Sequence, residues 1–209
     1  MSRPIETIRL DQLLLNAGLV ASRSRARDAI SRGTVRVNGR VVTKPSSTFP
    51  ASAKIEIDDP AQAYVSRAAL KLKAALDHFG LDPAGLDCLD IGASTGGFTD
   101  ILLERGANHV IAVDVGHDQL HPRLREDERI TNYEGLNARV LDEEHLEDRE
   151  IGVVVSDVSF ISLKLALPPA LTMAEPGAFC VLLVKPQFEA GREAISKAGL
   201  LKDPDSAPA

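Results

Sequence analysis

The 209-residue sequence predicts an α/β protein, an open parallel sheet with helices on its faces, preceded by a small basic α+β domain. Three observations carry this. Residues 1–45 hold nine Lys or Arg against three Asp or Glu, a local net of +6, whereas the remainder holds 15 against 27, a net of −12. From residue 66 onward apolar runs alternate with amphipathic stretches, the pattern of parallel strands joined by crossover helices. A glycine-rich turn joins the first of those runs to a helix. A hydrophobic fraction of 44% and a charged fraction of 26% exclude a disordered or fibrous class. No run approaches the ~18 continuous apolar residues of a membrane span. The first six residues also lack a signal peptide's apolar core, so a cytoplasmic location without a membrane partner is expected.

In chain order, Leu10, Leu13, Leu14 and Ala17 recur at helical spacing, and Gly18 ends that helix. Ser22 can cap a second helix that turns Ala26, Ala29 and Ile30 inward and sets Arg23 and Arg27 on its outer face. Residues 35–41 alternate apolar and polar around Asn38-Gly39, the pair favoured in a two-residue hairpin turn, so Arg36 and Arg40 flank the turn. Residues 54–57 read as a strand and Asp58-Asp59-Pro60 as its end, which divides the chain into domains 1–60 and 61–209. The second domain predicts strands at 87–91, 109–114, 129–132, 151–156 and 178–184, and helices at 66–79, 97–105, 117–124 and 162–174. Cys88 and Cys180 lie in apolar strand runs, where cysteine is ordinarily a small buried hydrophobe. No metal site is read.

A basic segment on an acidic body points to a polyanionic partner, nucleic acid first. Arg23, Arg27, Arg32, Arg36 and Arg40 offer planar donor forks suited to phosphate. No aromatic residues interleave them, so stacking on single-stranded bases is not expected of this segment.

The segment Cys88-Leu89-Asp90-Ile91-Gly92-Ala93-Ser94-Thr95-Gly96-Gly97-Phe98-Thr99 is an apolar strand entering a glycine-rich turn and then a helix. Its glycines permit close backbone approach to a ligand, and the helix N-terminus offers free amides. Asp114 ends the next strand, 22 residues after Gly92, where a carboxylate can accept both ribose hydroxyls of an adenosine. A nucleoside cofactor follows, with Asp90, Gly92, Ala93, Ser94, Gly96, Gly97, Phe98, Asp114 and Val115 as candidate contacts. A dinucleotide site favours Gly-x-Gly-x-x-Gly, and Ala93 and Ser94 stand where its second glycine is needed, which argues against a nicotinamide or flavin enzyme. Asp157 and Lys185 fall just past the C-terminal ends of apolar strands, where ligands collect in an open parallel sheet. Lys71 flanks the stripe Leu72, Ala75, Leu76 and Phe79, and periodicity alone would leave it an ordinary surface lysine.

Arg9-Leu10-Asp11, Leu14, Gly18, Ser22-Arg23, Ala26, Ile30, Gly33, Val35 and Val37-Asn38-Gly39 resemble the RNA-binding fold named after the ribosomal small-subunit protein S-four. The stretch Asp90–Thr99 resembles the first motif of FtsJ-like ribose methyltransferases. Together with residues 66–72, 156–163 and 183–189, nearly the whole of 5–204 resembles the TlyA (hemolysin A-like) family. The resemblance implies a Rossmann-like methyltransferase sheet, S-adenosyl-L-methionine as cofactor, and structured ribosomal RNA or ribosomal subunits as partner. It implies methylation of a ribose 2′-hydroxyl, with Lys71, Asp157 and Lys185 around the ribose. Lys185 would accept or orient the hydroxyl proton, with Asp157 and Lys71 fixing the hydroxyl and the lysine. Arg67, on the helical face of Lys71, would touch substrate phosphate, and Arg9 would join the basic face.

The family's fourth site residue, a glutamate in a Gly-Asn-x-Glu-like segment, has no counterpart in these 209 residues. The expected sheet is therefore C-terminally truncated by two strands, with the strand near 178–184 uncovered at the edge. Glu189 and Glu193 lie nearby without a sequence signal for that role. The alternative function is a non-catalytic RNA-binding protein that keeps the cofactor loop. A membrane-lytic role, suggested only by the family's name, finds no supporting segment.

Overall fold

From its first described residues the chain runs through β1 (Thr7–Arg9), α1 (Leu10–Asn16), α2 (Arg23–Ser31), β2 (Val35–Val37), β3 (Arg40–Val41), β4 (Thr48–Pro50) and β5 (Ile55–Ile57). These belong to the first of two units, residues 1–63 and 64–209, in a computed structural model that describes residues 7–196 and 200–203. Ser22 Oγ accepts the Arg25 N–H at 3.2 Å and starts α2, which presses Ala26, Ala29 and Ile30 onto Leu10 and Leu14 of α1. Val35 and Val37 close this core from β2, the central strand of the antiparallel order β3-β2-β5. Asn38 and Gly39, with φ of 51° and 78°, supply the two left-handed residues of the hairpin turn. The antiparallel pair β1 and β4 is new relative to the sequence reading. Strands of three residues with mixed exposure leave too few positions for an alternating pattern to emerge.

The second unit continues with α3 (Ala69–Phe79), β6 (Asp87–Ile91), α4 (Gly97–Glu104), β7 (His109–Asp114), α5 (Pro122–Arg125), β8 (Ile130–Glu134), β9 (Ile151–Ser156), α6 (Leu163–Ala166), α7 (Pro168–Thr172), β10 (Ala174–Leu182) and α8 (Pro186–Glu189). Five parallel strands form one sheet in the order β10-β9-β6-β7-β8. Central β6 sends Cys88 into one layer, with Leu72, Leu76, Ile101 and Leu102, and Leu89 and Ile91 into the other, with Ile111, Val113 and Leu167. Strands buried on both faces read as continuous apolar runs, which is why β6, β7 and β9 are legible to the residue. Because every strand points the same way, the loops after β6, β7, β9 and β10 gather at one edge of the sheet. The turn leading directly into β9, with Glu147, Asp148 and Glu150 exposed, lies at the opposite edge.

Three expectations change. The helix expected at 117–124 is confined to Pro122–Arg125, because Asp118 takes a left-handed φ of 53° and Pro122 lacks the N–H of an interior position, while the Glu134 carboxylate accepts the amides of Asp118, Gln119 and Leu120, each at 2.8 Å. The helix expected at 162–174 breaks into α6 and α7 at Leu167, since Pro168 and Pro169 lack the N–H that a continuing helix needs. Cys180 is exposed rather than buried, because β10 is the outermost strand and is covered less than β6, where Cys88 is buried. Among the described residues no helix is long and apolar enough to cross a membrane.

Candidate active site

The gathered loops enclose a cavity of about 680 Å³ in the second unit. Gly92, Ala93, Ser94, Gly97 and Phe98 form one wall, Asp114, Val115, Gln119 and Asn137 a second, and Lys71, Asp157, Ser159, Phe160 and Lys185 a third. Ser94 takes a left-handed φ of 49°, the conformation expected where glycine was missed in the motif. Its amide donates to Asp114 Oδ2 at 2.9 Å and its hydroxyl to Gln119 Oε1 at 3.1 Å. Gly116 N–H donates to Asp114 Oδ1 at 2.7 Å. The carboxylate at the end of β7 is thus fixed by backbone donors, each oxygen keeping a second lone pair for a ligand hydroxyl. Glu134 braces the same wall through the three amides named above, and those bonds hold its carboxyl below the usual carboxylate range.

Asp157 follows β9 directly and bridges two lysines. Lys71 Nζ lies 2.8 Å from Oδ2, and Lys185 Nζ lies 2.7 Å from Oδ1. Lys185 Nζ also donates to the Asp157 carbonyl at 3.1 Å and to Ser159 Oγ at 2.7 Å, while its approach to Asp157 Oδ1 is an ion pair without hydrogen-bond geometry. Asp157 is 14% exposed and Lys185 20%, whereas Lys71 reaches across from α3 with 48% of its side chain exposed. Three residues separated by up to 114 positions therefore form one triad at the cavity mouth. Phe160 stands beside it, 91% exposed at a φ of 68°, its ring 5.2 Å from that of Phe188.

Two of the nine candidate cofactor contacts lie outside the cavity wall. Gly96 packs against Leu120 and Leu124, so close that a Cβ would sit 2.3 Å from Leu124 Cδ1. Asp90 is 1% exposed beneath the loop and accepts the Thr99 hydroxyl at 2.7 Å, joining β6 to α4. Burial, reinforced by the charges of Asp114 and Asp157, pushes the Asp90 carboxyl up to about 7 against the Thr99 hydrogen bonds that oppose it. An unfolded chain releases this proton near 3.8, whereas the fold keeps it to about 7. Between those values the folded state binds more protons, so stability falls as pH rises, by at most about 1.4 kcal/mol per pH unit, and levels above the window. Asp90→Asn is expected to melt several degrees above the wild type at pH 8 and to lose that advantage by pH 4 to 5. Melting midpoints of the two proteins that stay parallel across this range would disprove the assignment.

Glu189 donates no atom to the cavity. Its oxygens accept Ser162 Oγ at 2.5 Å and Leu163 N at 2.8 Å, anchoring the start of α6. Arg67 is exposed just before α3, outside the cavity wall that its neighbours Ser66 and Ala68 line. Gln119, Asn137, Ser159 and Phe160 were missed by sequence reasoning because they sit in loops without periodicity.

The six arginines proposed for the basic face differ in their commitments. Arg9 and Arg23 both pair with the buried Asp11, and Arg32 pairs with Asp59 and Asp28. Arg27, Arg36 and Arg40 are exposed, Arg36 with a 3.4 Å contact to the Gly39 carbonyl.

A glycine loop between β6 and α4, an acid ending β7 and ionised side chains past β9 and β10 define a Rossmann-like nucleoside-cofactor enzyme. Comparison with known proteins narrows this. The family model of FtsJ-like methyltransferase matches residues 64–205, and that of the S4 domain matches residues 8–55. The chain is 45% identical to the 16S/23S rRNA (cytidine-2′-O)-methyltransferase TlyA of Mycobacterium tuberculosis, over 94% of this chain and 73% of that protein. It is 44% identical to Hemolysin A of Brachyspira hyodysenteriae, over 94% of this chain and 81% of the other. The solved structure of a hemolysin-named protein from Streptococcus thermophilus is 38% identical, with a TM-score of 0.69 over 97% of this chain and 74% of that one. The chain belongs to the FtsJ-like methyltransferase family, in the group with a preceding S4 domain that includes TlyA and hemolysin A.

Proposed function

We propose that this protein transfers a methyl group from S-adenosylmethionine to a ribose 2′-hydroxyl of ribosomal RNA. The observation that carries the proposal is the Asp157 carboxylate held between Lys71 and Lys185 Nζ at the mouth of the cavity that the glycine loop and Asp114 wall off. The cavity fits the cofactor. A Cβ at Gly97 would lie 3.0 Å from Ala69 N, so α3 already closes against the loop backbone. Asp114 would take the ribose hydroxyls, exposed Val115 would lie against the adenine ring, and Gln119 and Asn137 offer polar atoms along the same wall. When bound, the cofactor supplies an electrophilic methyl on a positively charged sulfur.

The protein's own residues must bring a neutral hydroxyl in line with that methyl and remove its proton. Positioning supplies much of the rate in such a reaction. Lys185 Nζ would contact O2′ in place of one of its present acceptors, and the proton would pass to the Lys185–Asp157 pair, with Lys71 holding the carboxylate from its other oxygen. The likeness to TlyA, named for cytidine-2′-O methylation of 16S and 23S rRNA, supports this substrate class. A purely RNA-binding role is not favoured, since the cavity wall and the ionised triad are both present and the relatives are named as methyltransferases.

The test is labelled methyl transfer from S-adenosylmethionine to unmodified ribosomal subunits and to naked ribosomal RNA, with the label expected on a ribose. Binding of the cofactor without transfer to either substrate would defeat the enzymatic reading. A rise in melting temperature with a nicotinamide dinucleotide instead of S-adenosylmethionine would defeat the cofactor assignment. Phe160 supplies an exposed aromatic face at the mouth, suited to stack on the base of the target nucleotide. Phe160→Ala is expected to raise KM for RNA about tenfold, in line with ~1–3 kcal/mol per stacked base, and to leave cofactor affinity unchanged. Steady-state kinetics with varied RNA and calorimetry with S-adenosylhomocysteine separate the two effects.

A further inference from the structure

We propose that Asp11 is a positioning residue for RNA, whose buried carboxylate holds Arg9 and Arg23 side by side as one preformed phosphate clamp. The inference rests on the reading of the N-terminal unit as RNA-binding and adds how its charge is organised. Asp11 lies in the first turn of α1 and is 0% exposed. Its Oδ1 accepts Arg9 Nε at 3.0 Å and Gln12 N at 3.1 Å, and its Oδ2 accepts both Arg9 Nη2 at 3.0 Å and Arg23 Nε at 3.1 Å. Two guanidiniums thus converge on a single oxygen, one from the end of β1 and one from the start of α2.

Charge gives this cluster a direction. Two cations share one anion, so the cluster keeps a net charge of +1, and 46% of the Arg9 side chain and 51% of the Arg23 side chain stay exposed. Arg32 shows the reverse arrangement, one cation between Asp28 and Asp59, with bonds of 2.7 and 2.6 Å to Asp59 and only 29% of its side chain exposed. That cluster, where Arg25 also acts on Asp59, leaves no surplus positive charge and staples the end of α2 to the segment after β5. The Asp11 cluster, by contrast, keeps surplus positive charge with two cations side by side and partly exposed. Like charges held together repel one another. Proximity maintained by a buried carboxylate therefore suits a site that an anion completes, and the guanidinium fork matches a phosphate. The pairing also holds Asp11 down to about 2, so the carboxylate is ionised throughout the pH range in which RNA is folded.

The experiment exploits opposite signs. On charge alone, removing an anion beside a polyanion tightens binding. If Asp11 acts by positioning, Asp11→Asn weakens binding by about tenfold, because two long side chains must then be ordered on association. The plot of log affinity against log salt should also become shallower by about one. Fluorescence anisotropy of the full chain with a labelled, unmodified ribosomal RNA transcript measures both quantities, and thermal unfolding checks the fold. In an Arg9→Gln, Arg23→Gln background, Asp11→Asn should cause no further loss.

Unchanged or tighter binding by folded Asp11→Asn overturns the clamp, as does an equal further loss in the background without the arginines. Should Asp11→Asn fail to fold, the arginine Nε–H signals of the wild-type protein decide. Two resolved, slowly exchanging signals that shift on addition of the transcript support the clamp, and averaged signals overturn it. A wild-type chain that does not bind the transcript defeats the RNA reading itself, an outcome distinct from intact binding by Asp11→Asn.

Discussion

Lys185→Ala is expected to lower kcat for methyl transfer on the order of a thousandfold, within the range of ~10²–10⁴ that a positioned proton-transfer group contributes. The side chain is only 20% exposed and contributes three contacts around Asp157, so its loss removes the group proposed to meet the reacting hydroxyl. Asp157 retains Lys71 at 2.8 Å and is not left as an unpaired buried charge, which keeps the cost in stability small. Affinity for S-adenosylhomocysteine should change little, because the proposed cofactor contacts lie on the glycine-loop and Asp114 walls of the cavity and Lys185 on the third. Single-turnover transfer at saturating cofactor isolates the chemical step. Normal turnover by a folded Lys185→Ala protein would remove this lysine from the mechanism.

Gly92→Ala is expected to damage both cofactor affinity and the triad, for a reason local to one contact. Gly92 holds a φ of 85°, and a Cβ there would stand 2.8 Å from Val158 Cγ1, 3.1 Å from Val158 Cα and 3.2 Å from Val158 N. Two of these three atoms are backbone, so no rotamer change relieves the clash. Val158 follows Asp157, and displacing it moves the carboxylate that joins the lysines. A loss of roughly 1–3 kcal/mol in stability is expected from overpacking with an unfavourable φ. At least a tenfold weaker affinity for S-adenosylhomocysteine should accompany it. Thermal unfolding together with calorimetric titration provides the check, and wild-type affinity in the variant would show that the loop has room the structure denies.

These predictions rest on features of unequal legibility. Strands β6, β7 and β9 could be read because sheets buried on both faces require unbroken apolar runs, and Asp114 and Asp157 could be placed because such runs end where ligands collect. Lys71 could not be assigned from its own helix. Its periodicity puts it on a surface flank, and only the fold brings it to Asp157, 86 residues away. The 117–124 segment misled because composition does not show the left-handed turn at Asp118, where the Glu134 carboxylate arriving from β8 gathers three successive amides. The arginines of the first unit illustrate the same limit. Sequence reports six similar cations, whereas their environments depend on which carboxylate the fold sets beside each one.

The parallel course of all five strands has a consequence for the rate at which the protein finds its target. The sheet sets Lys185 at one edge, where Lys71 joins it from α3, while Glu147, Asp148 and Glu150 are exposed in the turn that enters β9 from the other. A polyanion approaching from the rear by diffusion meets repulsion, which exerts a torque on the encounter pair before any contact forms. Fewer collisions are wasted in the wrong orientation. Over a Debye length of about 8 Å at physiological salt this bias acts only in the last stage of approach. The orientation of one sheet thereby helps to set an association rate as well as the position of a site.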